Sequence, residues 1–120
     1  MTRLKEIEIE IALCGGSAVV HVQGDVSWKT SPELRTAILN LIQSRPQERV
    51  IVNLRGVGRL DSSGISSLVE ASGAATLKGA RFVLSGLSQS ARHVLDVTGL
   101  SRVFEMTETV AQALSVKEAR

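Results

Sequence analysis

The chain has 120 residues, 43% of them hydrophobic, enough apolar material for one compact domain (residues 1–120) that builds its core without staples. Fourteen Lys and Arg against twelve Asp and Glu leave a formal charge of +2, too small and too dispersed for the basic stripe that a phosphate backbone requires, so no nucleic-acid partner is expected. The single cysteine, Cys14, has no internal partner and is expected as a buried structural thiol in a reducing compartment.

The first residues, MTRLKEIEIE, contain no apolar signal region, and no later run approaches the ~20 apolar residues of a membrane span. A cytoplasmic chain without direct membrane insertion is the expectation. In EIEIEIAL, residues 6–13, Ile7, Ile9, Ile11 and Leu13 alternate with Glu6, Glu8 and Glu10, the pattern of a strand with one wet face. Cys14-Gly15-Gly16-Ser17 supplies turn chemistry, and β-branched residues resume from Ala18 to Val22, so the first two strands are expected to pair antiparallel. Ser31-Pro32-Glu33 then opens a helix, with Ser31 as the capping residue, Leu34, Ile38, Leu41 and Ile42 on one face and Pro46 beyond its end.

RVIVNL, residues 49–54, is almost continuously apolar, as expected of a strand covered on both faces at the centre of an α/β sheet. A second helix is expected over 62–78, with Ile65, Leu68, Val69, Ser72 and Ala75 or Thr76 inward and Gly79 ending it. Arg81 to Ser85 reads as a strand. Ser88 caps a helix that carries Ala91, Val94 and Leu95 and closes at Gly99 in a left-handed conformation. A brief strand at 103–106 and a helix from about Thr107 complete the order β-β-α-β-α-β-α-β-α. Strand-helix-strand units call for right-handed parallel crossovers, so a mixed sheet flanked by helices is expected.

Several chemistries fail on their residues. His21 and His93 have no histidine or cysteine at ligand spacing, so no metal is expected. The elbow G-x-S-x-G of a serine hydrolase is absent, because Leu60 and Asp61 precede Ser62. Gly56-Val57-Gly58 begins a dinucleotide pattern, but Asp61 stands where its third glycine belongs, and a carboxylate there repels a pyrophosphate. No cofactor is expected. LDSSGISSLV, residues 60–69, has the stronger physical content: a helix start at the C-terminal end of the central strand, where α/β folds place ligands and partners. Asp61 or Ser62 can accept from first-turn amides as a cap. A phosphate on an exposed hydroxyl there would sit on the positive end of the helix dipole and change the surface while leaving the fold intact.

VIVNLRGVGRLDSSGISSLVEA resembles the signature of STAS domains, specifically the bacterial anti-sigma factor antagonists, in which an apolar strand, a short loop and D-S-S-G or D-S-T-G precede a helix. VHVQGDVSWKTSPELRTAI upstream and LSGLSQSARHVLDVTGLSRVFEM downstream resemble the flanking segments of that family, so the likeness spans nearly the whole chain. The resemblance implies an STAS-like α/β fold and an adaptor that is not an enzyme. It implies phosphorylation at Ser62, with Ser63 as second choice, by a serine kinase that is also the anti-sigma factor, and reversal by a PP2C-type phosphatase. The unmodified antagonist would bind the kinase and the phosphorylated one would release it.

The family usually carries an aspartate where Ser27 stands in Gly24-Asp25-Val26-Ser27. Trp28 follows that turn, where loop packing and a partner-facing indole are both open. Arg55 and Arg59 read as solvated loop charges and only secondarily as phosphate or partner contacts. The expected partner surface comprises Asp25, Ser27, Trp28, Arg59, Asp61, Ser62, Ser63, Gly64, Ile65 and Ser66. The alternative function is a stand-alone STAS subunit of a phospholipid-transport ABC complex, which would bind the ATPase subunit without phosphorylation.

Overall fold

The computed structural model describes residues 6–115. Strands β1 (Ile7–Cys14) and β2 (Ser17–Gly24) form a hairpin whose two-residue turn begins at Gly15, left-handed at φ 63°. They run antiparallel in unbroken register from Cys14 against Ser17 to Ile7 against Gly24. Then follow α1 (Ser31–Ser44), β3 (Arg49–Gly56), α2 (Ser62–Leu77), β4 (Arg81–Ser85), α3 (Gln89–Val97), a 3-10 turn at Leu100–Arg102, β5 (Glu105–Thr107) and α4 (Val110–Ser115). The order is the one expected from the sequence, with the last strand and helix starting a few residues later. The strands lie β1-β2-β3-β4-β5, parallel from β2 onward, so RVIVNL is the central strand.

Alternation along the strands divides the core into two layers. Val20, Val22, Val50, Val52, Leu54 and Leu84 face one way and pack with Leu34, Ile38 and Ile42 of α1 and Ile65, Leu68 and Ala75 of α2. Val19, Ile51 and Val83 face the other way, beneath Ala113, Val110 and Leu114 of α4. On the outside, Arg35 of α1 grips Glu70 of α2 through two bonds, at 2.8 and 2.6 Å, which hold the Glu70 carboxyl below its usual range.

Several burial expectations are corrected. Cys14 is exposed, and Ile11 and Leu13 are 41% and 48% exposed, because they lie on the edge strand β1, uncovered at this end, while their partners Ala18 and Val20 on β2 are fully buried. Val94 is exposed on α3, whose inward residues are Ala91 and Leu95. In α2 the buried stripe takes Ala71 in place of Val69 and Ser72, which are half-buried. Ser31 is the first residue of α1 and not its cap: Thr30 holds that position without a side-chain capping bond.

Candidate functional site

Two loops leave the C-terminal ends of adjacent parallel strands, 25–30 after β2 and 57–61 after β3. A single parallel bridge between Val26 and Leu60 joins them. Val26 N donates to the Arg59 carbonyl at 2.8 Å, and Asp61 N to the Val26 carbonyl at 3.0 Å. Val26 is fully buried and Leu60 packs against the same core, so an apolar residue on each side sinks into the molecule while its polar neighbours stay at the surface. Sequence reasoning missed this bridge. Its signal is a hydrophobic residue set next to an acid in both loops, Asp25-Val26 and Leu60-Asp61.

The two carboxylates reinforce the junction. Asp25 Oδ1 accepts from Arg59 N at 3.0 Å, and Asp61 Oδ2 accepts from Trp28 N at 3.2 Å. With its other oxygen Asp61 caps α2, Oδ1 accepting from Gly64 N at 3.1 Å. Thr30, buried and also missed, pins the first loop from beneath: its hydroxyl donates to the Asp25 carbonyl at 2.8 Å and accepts from Ser27 N at 2.9 Å. Ser27 faces its own turn, Oγ accepting from Lys29 N at 3.2 Å.

Ser62 follows Asp61 as the first residue of α2, exposed and without a side-chain hydrogen bond to any described residue. Of the two caps left open by the sequence, the structure uses Asp61. The Ser62 hydroxyl therefore has no part in holding the helix start. Asp61→Ala is expected to lower stability by about 1 kcal/mol in thermal melts, while Ser62→Ala stays within about 0.5 kcal/mol of the unmodified chain. Equal losses from the two would contradict this division of roles.

Around Ser62 the expected residues separate by depth. Asp25, Trp28, Arg59 and Ser66 are exposed, and Ser27, Asp61 and Ser63 are half-buried. Gly64 and Ile65 are buried and shape the site from below. A Cβ at Gly64 would lie 2.6 Å from Leu60 Cδ1 and 2.7 Å from Val26 Cγ1, so the missing side chain is what lets α2 approach the bridge. Trp28 is 68% exposed, with Lys29 Nζ 5.6 Å from its ring centroid.

Two open depressions flank the Arg59–Asp61 segment. One, of about 600 Å³, lies towards Gly24, Ser27 and Trp28; the other, of about 300 Å³, lies towards Ser88, Ala91 and Val94 of α3. Among the described residues no group of three or more His, Cys, Asp or Glu is placed to hold a metal. His21 lies elsewhere, its Nδ1 2.9 Å from Asn53 Nδ2, and His93 is exposed on α3. The arrangement presents the hydroxyls of Ser62, Ser63 and Ser66 without side-chain hydrogen bonds among the described residues, Ser62 exposed at the helix start, on a hydrogen-bonded loop pair that also carries the exposed Trp28 and Arg59.

The model of the family described as STAS domain matches residues 8–113. An anti-sigma F factor antagonist from Paenibacillus polymyxa is 23% identical over 112 residues, covering 93% of this chain and 96% of that protein. The crystal structure of an anti-sigma factor antagonist from Mycobacterium paratuberculosis shares the fold with a TM-score of 0.82 at 24% identity, covering 91% of this chain and 92% of the other. The Bacillus cell fate determinant SpoIIAA in its phosphorylated form shares it with a TM-score of 0.70 at 18% identity, over 89% and 96% of the two chains. No helix among the described residues is long and apolar enough to cross a membrane.

Proposed function

The chain belongs to the STAS domain family, and from that premise we propose that it is an anti-sigma factor antagonist, an adaptor without catalysis of its own that works in the cytoplasm. Unmodified, it binds an anti-sigma factor that is also a serine kinase; phosphorylation of Ser62 releases it, and a PP2C-type phosphatase returns it to the binding form. The observation that carries this reading is the Ser62 hydroxyl, exposed and unbonded among the described residues, directly after the carboxylate that caps its helix.

The charge arithmetic supports a switch in binding. A phosphoryl group adds roughly −1.5 to −2 charges and three strong acceptors. At the first turn of α2 those charges meet the positive end of the helix dipole, so the fold tolerates them. A partner surface packed against Trp28, Arg59, Ser63 and Ser66 must instead desolvate a dianion next to Asp61. A protein of the same fold solved in a phosphorylated form supports the compatibility of fold and modification.

The test is to incubate the purified chain with host lysate and ATP, map the phosphopeptides, and identify the protein that the unmodified chain captures. Phosphate on Ser62 and capture of an anti-sigma factor are expected. Phosphate on Ser63 alone moves the site by one residue. An unphosphorylated chain that captures an ABC ATPase overturns the proposal in favour of the transport adaptor.

A further inference from the structure

The sheet has two edges, and they differ in how they are protected. β5 is three residues long, and Glu105 on it is tied to Arg81 of β4, so little backbone is offered there. β1 is eight residues long, pairs with β2 without a bulge, and has no strand on its outer side among the described residues. It contains neither lysine nor proline, so the only charges guarding this edge are Glu8 and Glu10 on one face. Alternate residues of β1 therefore turn N–H and C=O groups outward that no strand among the described residues pairs.

The side chains of β1 select what can pair there. A partner strand must meet apolar residues on the face of Ile9, Ile11 and Leu13 and avoid carboxylates opposite Glu8 and Glu10. β1 itself meets both conditions in one register. With two copies antiparallel about a two-fold axis at Ile11, Ile11 faces Ile11, Ile9 faces Leu13, Glu10 faces Ala12 and Glu8 faces Cys14. Moving the axis to Glu10 sets glutamate directly against glutamate, moving it to Ile9 sets Glu8 against Glu10, and moving it to Ala12 shortens the overlap. Half-residue shifts put apolar residues opposite polar ones. The exposed Ile11 and Leu13 are the residues that this pairing covers.

We propose that the outer edge of β1 is a self-association surface, on which a second copy of this chain adds its β1 antiparallel about a two-fold axis at Ile11 and joins two five-stranded sheets into one. The contact is small, so the dimer is concentration-dependent and not obligate. It is carried by a different edge of the fold from Ser62, and its success or failure is independent of the antagonist reading.

Sedimentation velocity of the full chain over a concentration series is expected to show a monomer shifting to a dimer. Ile11→Lys and, separately, Leu13→Lys are expected to remain monomeric over the same range, with unchanged melting temperatures because both positions are exposed. Disulfide trapping reads the register itself. Directly opposed residues have Cα atoms ~4.5–5.5 Å apart, within bridging distance, so Cys14→Ser combined with Ile11→Cys forms a disulfide dimer on mild oxidation. In the unmodified chain the two Cys14 residues are offset by about 20 Å along the strands and do not bridge. A chain that stays monomeric throughout, a dimer that survives both lysine substitutions, or bridging through Cys14 in preference to Ile11→Cys overturns the proposal. Should the lysine variants misfold, the trapping result decides alone.

Discussion

Ser62→Asp is expected to weaken binding to the captured anti-sigma factor by about 100-fold or more, and Ser62→Ala to leave it within a few-fold. Ser62 is exposed at the start of α2 and its hydroxyl bonds to no described residue, so removing the oxygen costs the free protein nothing that the partner must replace. Adding a carboxylate is different. It stands next to Asp61, whose own oxygens are already committed to Gly64 N and Trp28 N, and a partner that packs closely over the unmodified hydroxyl must desolvate the added charge beside that carboxylate. Such a mismatch costs several kcal/mol, and each ~1.4 kcal/mol is tenfold in affinity. Aspartate supplies a single charge, so phosphoserine is expected to have the larger effect. Titration calorimetry of the two variants against the same partner measures the difference. The melting temperature separates release from unfolding, because an acid in the first turn favours the helix and Ser62→Asp should melt no lower than the unmodified chain. Equal affinities for the two variants would remove Ser62 from the switch.

The strength of each sequence expectation follows the physics behind it. RVIVNL reads as the central strand because burial on both faces leaves no room for polar residues, and it is the central strand. The helices were legible from their apolar spacing, as Leu34, Ile38, Leu41 and Ile42 show. Ile11 and Leu13 were misjudged because alternation gives the face of a strand but not how far the covering helices reach along it, and Cys14 because the usual burial of a free cysteine does not hold on the wet face of an edge strand. The cap of α2 was undetermined between Asp61 and Ser62, since both are good capping residues and a shift of one residue exchanges them. A long-range contact decides it. The bond from Asp61 N to the Val26 carbonyl holds Asp61 extended, at ψ −177°, so the helix begins at Ser62. That contact joins positions 35 residues apart, beyond any local pattern. The exposure of Trp28 was likewise undecided by sequence: its backbone N–H donates to Asp61 and its indole is left 68% exposed.

Gly24→Ala is expected to cost roughly 3 kcal/mol and to lower the melting temperature by about 10 °C, the largest stability loss of any single glycine replacement around the site. Gly24 ends β2 at φ 108°, a conformation that side-chain-bearing residues rarely adopt. A Cβ there would lie 2.3 Å from the Glu6 carbonyl oxygen and 3.2 Å from Ile7 Cα. Both atoms are backbone, and moving them away pulls the end of β1 off β2. Gly15 provides the comparison: it too has positive φ, but its Cβ would meet nothing within 4 Å, so Gly15→Ala should cost only the conformational part, about 1 kcal/mol. The site should also register the change at Gly24. Asp25 comes next in the chain, and its carboxylate holds Arg59 N at 3.0 Å, so a displaced strand end loosens the junction that carries Asp61 and Ser62. Chemical denaturation of the two variants, together with partner affinity at a temperature where both are folded, measures both effects. If Gly24→Ala lost no more stability than Gly15→Ala, or kept full affinity, the end of β2 would not be the rigid support that the loop pair requires.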